Sequence, residues 1–417
     1  MKKAKNIGSA GERREPLPRA GLALLPLFCA GFAIYGMYCN GFGANADATM
    51  AYFGIDEVKN GAIMTAQSFG CLAVAVAMGL FGERLNKLYA LSGGLALLGA
   101  AGVLIGLMPE LLGFASYPLM LGYSLIAGLG YISIDLLTNS AIADVFGAGK
   151  NRVLPYVHAF YGGGAMLAPV FVAAFVSVDR PESFARPYLL IGSASLVCAA
   201  ALAAAGRKLR QETPYADMSE IRARARRNPA EIFKEGSAWL FLLSGFMNLS
   251  FQTGLTTWLP RYCGLVWGYD ATSAALMVTA FFTGALIMRL ATPLAYAKVG
   301  VRRFYQLSLL VSAAVYLVFL LAPLPDVLRT LLAGLIGLLQ GATVPTLVIL
   351  CCDAFPQRSA SASSIIVFGV SLASMLSPVV LGKLLTVDPE AAMLGMSFCI
   401  VVAALALPGK AWIASRR

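Results

Sequence analysis

The chain has 417 residues, 59% of them hydrophobic and 13% charged, with a mean hydropathy of +0.74. A soluble globular domain carries about 25% charged residues, so this balance excludes one, and the recurrence of apolar stretches of about 20 residues describes an all-α integral membrane protein. The net charge of +11 does not mark a nucleic-acid partner, because the basic residues are segregated by position along the chain.

Residues 1–19 are polar and basic and read as a tail. Twelve predicted spans follow, at residues 20–44, 60–81, 89–108, 116–143, 154–177, 187–206, 237–261, 272–297, 304–323, 327–350, 362–385 and 391–408. The first lacks a small-residue cleavage site and reads as an uncleaved span, not a signal peptide. With this partition about 25 of the 32 Lys and Arg fall in the termini and alternate loops, and about six on the other side. The positive-inside rule then puts both termini in the cytoplasm. Short loops in a compact chain suit a bacterial inner membrane, and a monomer is expected.

The polar stretch Gly206 to Gly236 lies near the chain midpoint. It separates an N-terminal six-helix bundle, 20–206, from a C-terminal one, 237–408, with a linker at 207–236 and a second tail at 409–417. Within the linker, Met218–Arg227 reads equally well as a short amphipathic surface helix or as solvated chain. The halves repeat. Asp144 and Asp353 open the matching triplets DVF and DAF, 209 residues apart, and MLAPV from Met166 recurs as MLSPV from Met375 at the same offset. Such repeated halves are a common plan of membrane transporters, with the solute site at their interface.

Several chemistries are excluded. The eight cysteines lie almost all in apolar runs without CxxC or Cys/His spacing, so neither a disulfide framework nor a metal centre is expected. No cofactor is expected either. A single histidine excludes a multi-histidine metal site, and neither HExxH nor GxSxG occurs, so an enzyme is not expected. Without a Walker-type phosphate loop the chain carries no ATPase of its own. Transport would draw on an ion gradient.

Twelve spans in two halves with a long central loop resemble the major facilitator superfamily. That family's loop signature after the second span, G-x-x-x-D-R-x-G-R-R, is similar to GLFGERLNKL from Gly79 to Leu88. Glu83 replaces the acid and Lys87 keeps a base, while Asn86 and Leu88 depart from the pattern. The matching place in the second half keeps its bases, Lys298, Arg302 and Arg303, and loses the acid. Such a loop would act as a latch, with Arg84 reaching Asp144 and Lys298 or Arg302 reaching Asp353. Glu83, Arg84, Asp144, Arg289, Lys298 and Asp353 are accordingly read as gating or structural residues.

Within the superfamily, five stretches resemble the fucose permease branch of proton-coupled sugar symporters: D-x-x-x-N at Asp135 and Asn139, PYVHAFYGGGAMLAP from Pro155, FQTGLTTWLPRY from Phe251, VPTLVIL from Val344 and SSIIVFGVSLASMLSPVVLG from Ser363. The resemblance implies an acid at Asp135 that serves coupling and sugar binding. The residues point the same way. An ionisable group deep in a span costs roughly 2.5–3.5 kcal/mol on insertion scales, so Asp135 needs a use or a partner. Tyr131, Asp135 and Asn139 share one helical face. Desolvation disfavours the charged form of any carboxylate, which is what a proton-coupling group requires.

Other candidates are weaker singly. His158 and Tyr161 share a face of the fifth span, with interhelical bonding as the competing reading of the histidine. On the seventh span Ser244, Asn248, Gln252 and Thr256 recur every four residues as a polar stripe, and Gln252 and Trp258 match the branch's FQT…W region, where an amide can bond sugar hydroxyls and an indole can stack on a sugar face. Gln340 is a further amide. Asp47 is a second proton-coupling candidate near the end of the first span. Pro169 and Pro378 are expected to kink their helices. The function expected is proton-coupled uptake of a sugar or similar small polar solute by alternating access. An exporter of hydrophobic compounds or an organic-anion exchanger is the alternative.

Overall fold

The computed structural model describes residues 17–177, 179–217, 219, 229–356 and 358–407. The basic tails and, apart from Ser219, the Met218–Arg227 stretch lie outside them. Among the described residues there is no β-strand beyond an isolated bridge between Ser177 and Arg180, and thirteen helices make twelve crossings. In the first half these are α1 (Arg19–Ala44), α2 (Glu57–Phe81), α3 (Lys87–Leu112), α4 (Tyr117–Phe146), α5 (Lys150–Phe175) and α6 (Ala185–Lys208). In the second half they are α7 (Gly236–Trp267), α8 (Ala271–Val299), α9 (Val301–Leu321), α10 (Asp326–Gln340) with α11 (Thr343–Ala354), α12 (Ser359–Val387) and α13 (Pro389–Leu405). A short helix, Ala46–Phe53, follows α1.

Local chemistry sets the turns. Asp56, Asn86, Asp270 and Asp388 each accept a backbone N–H from the first turn of the helix they precede, satisfying donors that would otherwise be orphaned. Gly54, Gly113 and Gly268 end helices in the left-handed conformation that a Cβ disfavours. Between these stops the outward side chains are large and apolar, among them Val170, Val197, Leu331 and Phe398. They form the lipid-facing surface.

Each half packs by the same scheme. Helix α1 lies on α5 and α6, and α4 on α2 and α3, while α3 packs along α6. In the second half α7 lies on α12 and α13, and α10 on α8 and α9, while α9 packs along α13. The repeat reaches atomic detail at Gly128 and Gly337, which are 209 residues apart. A Cβ at Gly128 would stand 2.0 Å from the carbonyl oxygen of Gln67 on α2, and one at Gly337 1.9 Å from that of Phe281 on α8. Backbones touch at both places, the close approach that small residues permit when no hydrophobic force drives helices together. The halves meet where α2 and α4 pack on α12, and where α5 packs on α8 and α11.

The tenth crossing departs from the continuous helix expected over 327–350. It breaks at Gly341 and Ala342 between α10 and α11. The carbonyl of Gln340 is taken by the Thr343 hydroxyl at 2.8 Å, and that of Gly341 by Arg289 Nε at 2.9 Å. A broken helix at membrane depth persists only where the freed groups find such partners. Helix α4, its counterpart in the first half, is unbroken, and α5 and α12 run on past Pro169 and Pro378.

Substituting Gly128 by Ala therefore forces α2 and α4 apart, at a cost of at least about 1–3 kcal/mol. The purified variant should unfold at a lower temperature in detergent than the parent, whereas Gly122→Ala, where nothing lies within 4 Å of the added atom, should match it.

Candidate functional site

Asp135 lies in the middle of α4 and is buried, with its carboxylate against its own helix's next turn: Asn139 Nδ2 donates to Oδ1 at 2.9 Å. Spacing of four along the helix makes that contact. Asn139 Oδ1 in turn lies 3.0 Å from Nε2 of the buried His158 on α5. Among the described residues no Lys or Arg lies within 4.0 Å of Asp135. Its partner is a neutral amide.

Around this pair stands a set of aromatic rings. Tyr35 on α1 stacks on Tyr131 at 5.4 Å between centroids and leans on Tyr161 of α5 at 4.7 Å. Phe32 meets the His158 ring edge-on at 4.9 Å. Asn40 Nδ2 donates to the Tyr161 hydroxyl at 3.3 Å, and the Cys71 thiol on α2 to that of Tyr131 at 2.8 Å. Tyr35, Tyr131, Tyr161 and Asn40 are half-buried.

The second half contributes amides. Gln252 Nε2 on α7 lies 3.2 Å from Asn248 Oδ1, 3.3 Å from Gln340 Oε1 and 3.0 Å from Thr343 Oγ1. Asn248 Nδ2 donates to the same threonine at 3.0 Å, and Gln340 Nε2 to Ser312 at 3.0 Å. Asn248 and Gln340 are buried while Gln252 is half-buried, its amide nitrogen turned into the cluster. Trp258, two turns on, is half-buried with its indole against Gly382 of α12, where a Cβ would come within 2.5 Å of Cζ2. Ser244 does not share this face: it is buried on Tyr305 and the Ala403 carbonyl, both inside the second half. The four-residue stripe of α7 thus divides: Ser244 is bonded within the packing of the second half, while Asn248 and Gln252 join the amide cluster.

Arg289 joins the two sides. Its Nε donates to the Gly341 carbonyl, and its Nη1 to the carbonyl of His158 at 3.2 Å. The guanidinium carbon lies 5.9 Å from the centre of the Tyr161 ring. It is a tie between halves, at the level of Asp135's neighbours and not in the loop that follows α8.

The structure brings Asp135, Asn139 and His158 into one hydrogen-bonded row, Tyr131 and Tyr161 onto one tyrosine, and Asn248, Gln252 and Gln340 onto one threonine. Asp47 is not among them. It is exposed in the first turn of the short helix Ala46–Phe53 and shares no hydrogen bond with the row. Composition alone did not single out Tyr35, Cys71 or Thr343, although Thr343 lies one turn from Gln340.

One end of the bundle, where α6 runs into the linker, is held shut by ions. Lys87 Nζ lies 3.2 Å from Glu83 Oε2, 2.7 Å from Asp144 Oδ2 and 2.5 Å from the Ser359 hydroxyl, which itself donates to Asp144 Oδ1 at 2.5 Å. Glu83 Oε1 accepts the backbone N–H groups of Ala360 and Ser361 at the start of α12, at 2.7 and 3.2 Å, where a helix N-terminus favours negative charge. Tyr215 of the linker donates to Asp144. Lys150 of the first half pairs with Asp353 of the second at 2.5 Å. The expected latches are thus corrected: Lys87, not Arg84, meets Asp144, and Lys150, not Lys298 or Arg302, meets Asp353. Arg84 is exposed and lies over the Phe81 ring at 5.7 Å, and Lys298 is exposed without an ion pair among the described residues. In both cases the base that makes the pair starts a helix facing the seam; Arg84 and Lys298 are exposed, and Arg302 donates to the Leu407 carbonyl. Away from this end, the cross-half polar contact among the described residues is that of Arg289.

The Major Facilitator Superfamily model matches residues 27–378 and 264–413. This chain belongs to that family. It is accordingly a multi-pass membrane transporter and not an enzyme. The structure of FucP, a transporter of the superfamily, in the outward conformation superposes with a TM-score of 0.77 at 17% identity, covering 93% of this chain and 99% of that one. A variant of the E. coli fucose:proton symporter FucP gives 0.76 at 18% identity, with 93% and 98% covered. The proton:xylose symporter XylE, bound to 6-bromo-6-deoxy-D-glucose, gives 0.69 at 13% identity, with 93% and 96% covered. At such identities the likeness is one of fold. No curated protein matches the sequence.

Removing the central cation should open the ionic end. Lys87→Met leaves Glu83 and Asp144 without their base, which for a buried cluster costs about 3–5 kcal/mol. Cys352, buried beside Ser359 and Ser363, is a built-in reporter. N-ethylmaleimide should modify it several-fold faster in the variant, read by mass spectrometry, with Cys198 on the far side of the first half unchanged.

Proposed function

We propose that this transporter takes up a sugar or similar small polar solute together with protons, by alternating access, and that Asp135 carries the proton. The supporting observation is the setting of Asp135: a buried carboxylate in the middle of α4, bonded to Asn139 and, among the described residues, to no cation. A structural carboxylate at this depth would be matched by a base, as Asp144 is by Lys87. One without a base is stable when protonated and available when the chamber is wetted, which is the cycle a coupling group must perform.

Solute recognition is assigned to the two faces of the same chamber. Asn139, His158, Tyr131 and Tyr161 line it from the first half, and Asn248, Gln252, Trp258 and Gln340 from the second. Amides that donate and accept suit a polyhydroxylated ligand, and tyrosine and indole rings suit its apolar faces. The named activities of FucP and XylE, fucose:proton and proton:xylose symport, are of this class. Asp47, exposed at the opposite end from the ionic cluster, is a second proton site on the entry path in this reading.

The ionic end is read as the cytoplasmic gate. It carries the linker and both chain termini's helices, and the bias of basic loops supports a cytoplasmic placement at a bacterial inner membrane. With that end tied by Lys87, Glu83, Asp144 and Ser359, and no comparable ties at the other among the described residues, this reading takes the molecule as open toward the outside. Proton binding and solute binding then favour exchange of the two arrangements. The unit that does this is a monomer.

In proteoliposomes with an imposed inward proton gradient, Asp135→Asn should abolish accumulation while leaving solute exchange at equal pH on both sides. A folded variant that still accumulates solute at the parental rate would overturn the assignment. Gln252→Ala removes an amide that meets the solute and should weaken apparent affinity by roughly 5- to 150-fold, the equivalent of about 1–3 kcal/mol for an unmade buried hydrogen bond, with the proton dependence retained.

A further inference from the structure

Arg289 has no task in proton-coupled sugar uptake beyond tying two carbonyls. That is a weak reason for a guanidinium at this depth. An arginine in the middle of a span costs about 2.5–3.5 kcal/mol, and the carbonyls of Gly341 and His158 could be served by a neutral amide. Both partners carry no net charge, and so does the Tyr161 ring. Among the described residues no carboxylate lies within 4.0 Å of the guanidinium. Two of its five N–H groups are used in these bonds, leaving donors in a planar fork that matches a carboxylate. Gly162 makes room for the guanidinium itself: a Cβ there would stand 2.8 Å from Nη1.

The charge count of the chamber sharpens this. The titratable groups that face Asp135 and Arg289 are Tyr131 on α4, Tyr35 and Cys39 on α1, Cys71 on α2, and His158 and Tyr161 on α5. With these neutral, the chamber has no net charge when Asp135 is ionised and one positive charge when it is protonated. A neutral sugar arriving with the proton leaves that charge unbalanced. A solute with one carboxylate cancels it.

Building on the proton-coupled reading above, we propose that the solute is a sugar acid bearing a single carboxylate, that Arg289 receives this carboxylate, and that the proton on Asp135 balances its charge. Arg289 is then the residue that selects acid over neutral sugar. The two carbonyls hold its fork in place between the halves, so that the ligand bridges both.

The probes are D-glucuronate and D-galacturonate against D-glucose and D-galactose, pairs that differ in a carboxylate where the neutral sugar has a hydroxymethyl group. Binding to the purified full-length protein is followed by tryptophan fluorescence at about pH 6.5, where the uronates are ionised. Each uronate should bind at least about tenfold more tightly than its neutral partner. Arg289→Gln should bring the pair within about threefold, while Arg289→Lys, which keeps the charge and loses the fork, should retain part of the preference. Uronate uptake driven by a pH gradient should not respond to an imposed membrane potential. Equal or tighter binding of the neutral sugars, a preference that survives in folded Arg289→Gln, or binding of neither pair would overturn the proposal. Neutral sugars that accumulate with the proton gradient would remove the acid and leave the proton-coupled reading standing. Uptake of either sugar class indifferent to Asp135→Asn would remove that reading itself.

Discussion

The structure is organised around a row of hydrogen bonds that crosses the seam between the halves: Asp135 to Asn139, Asn139 to His158, the His158 carbonyl to Arg289, and Arg289 to the carbonyl freed at Gly341. It holds an acid and a base in the same apolar interior without letting them neutralise one another. Each is instead kept on neutral dipoles. Such groups are expensive to place, and much of the surrounding architecture exists to make them tolerable: the break between α10 and α11 that supplies a carbonyl, the stacked tyrosines, and the bare position at Gly162.

The ionic end shows the opposite solution. There Lys87 is surrounded by Glu83, Asp144 and the Ser359 hydroxyl, and Glu83 spends its second oxygen on the first N–H groups of α12. Every charge has a counter-charge or an oriented donor, so the cluster is stable as it stands and its breaking is costly. Full pairing where the molecule is held and incomplete pairing where ligands act give the two regions different electrostatic characters within one bundle.

Much of this was legible in the sequence. Twelve apolar runs, the basic midpoint and the 209-residue offset follow from burial and from the lipid's demand for satisfied backbone, which act on every residue of a span. Asp135 and Asn139 were legible because their contact is one turn of one helix. Contacts between helices were not. Glu83, Lys87 and Asp144 all belong to recognisable stretches, yet whether Arg84 or Lys87 meets Asp144 depends on which way the short 3-10 turn Gly82–Arg84 directs its side chains. Lys150 with Asp353 joins residues from different halves, and no local pattern ties them. The interruption at Gly341 is equally opaque, since glycines are common in spans and this one is an exception only because Arg289 and Thr343 take the freed carbonyls.

Gly128 and Gly337 bear on how such a molecule can move. Where a carbonyl of one helix nests in the space of a missing side chain on the next, neither rod can slide or roll on its neighbour without collision. The second and fourth crossings are thereby fused into a single slab, and so are the eighth and tenth as far as the break. Any traffic through the protein must be accommodated by slabs tilting against each other.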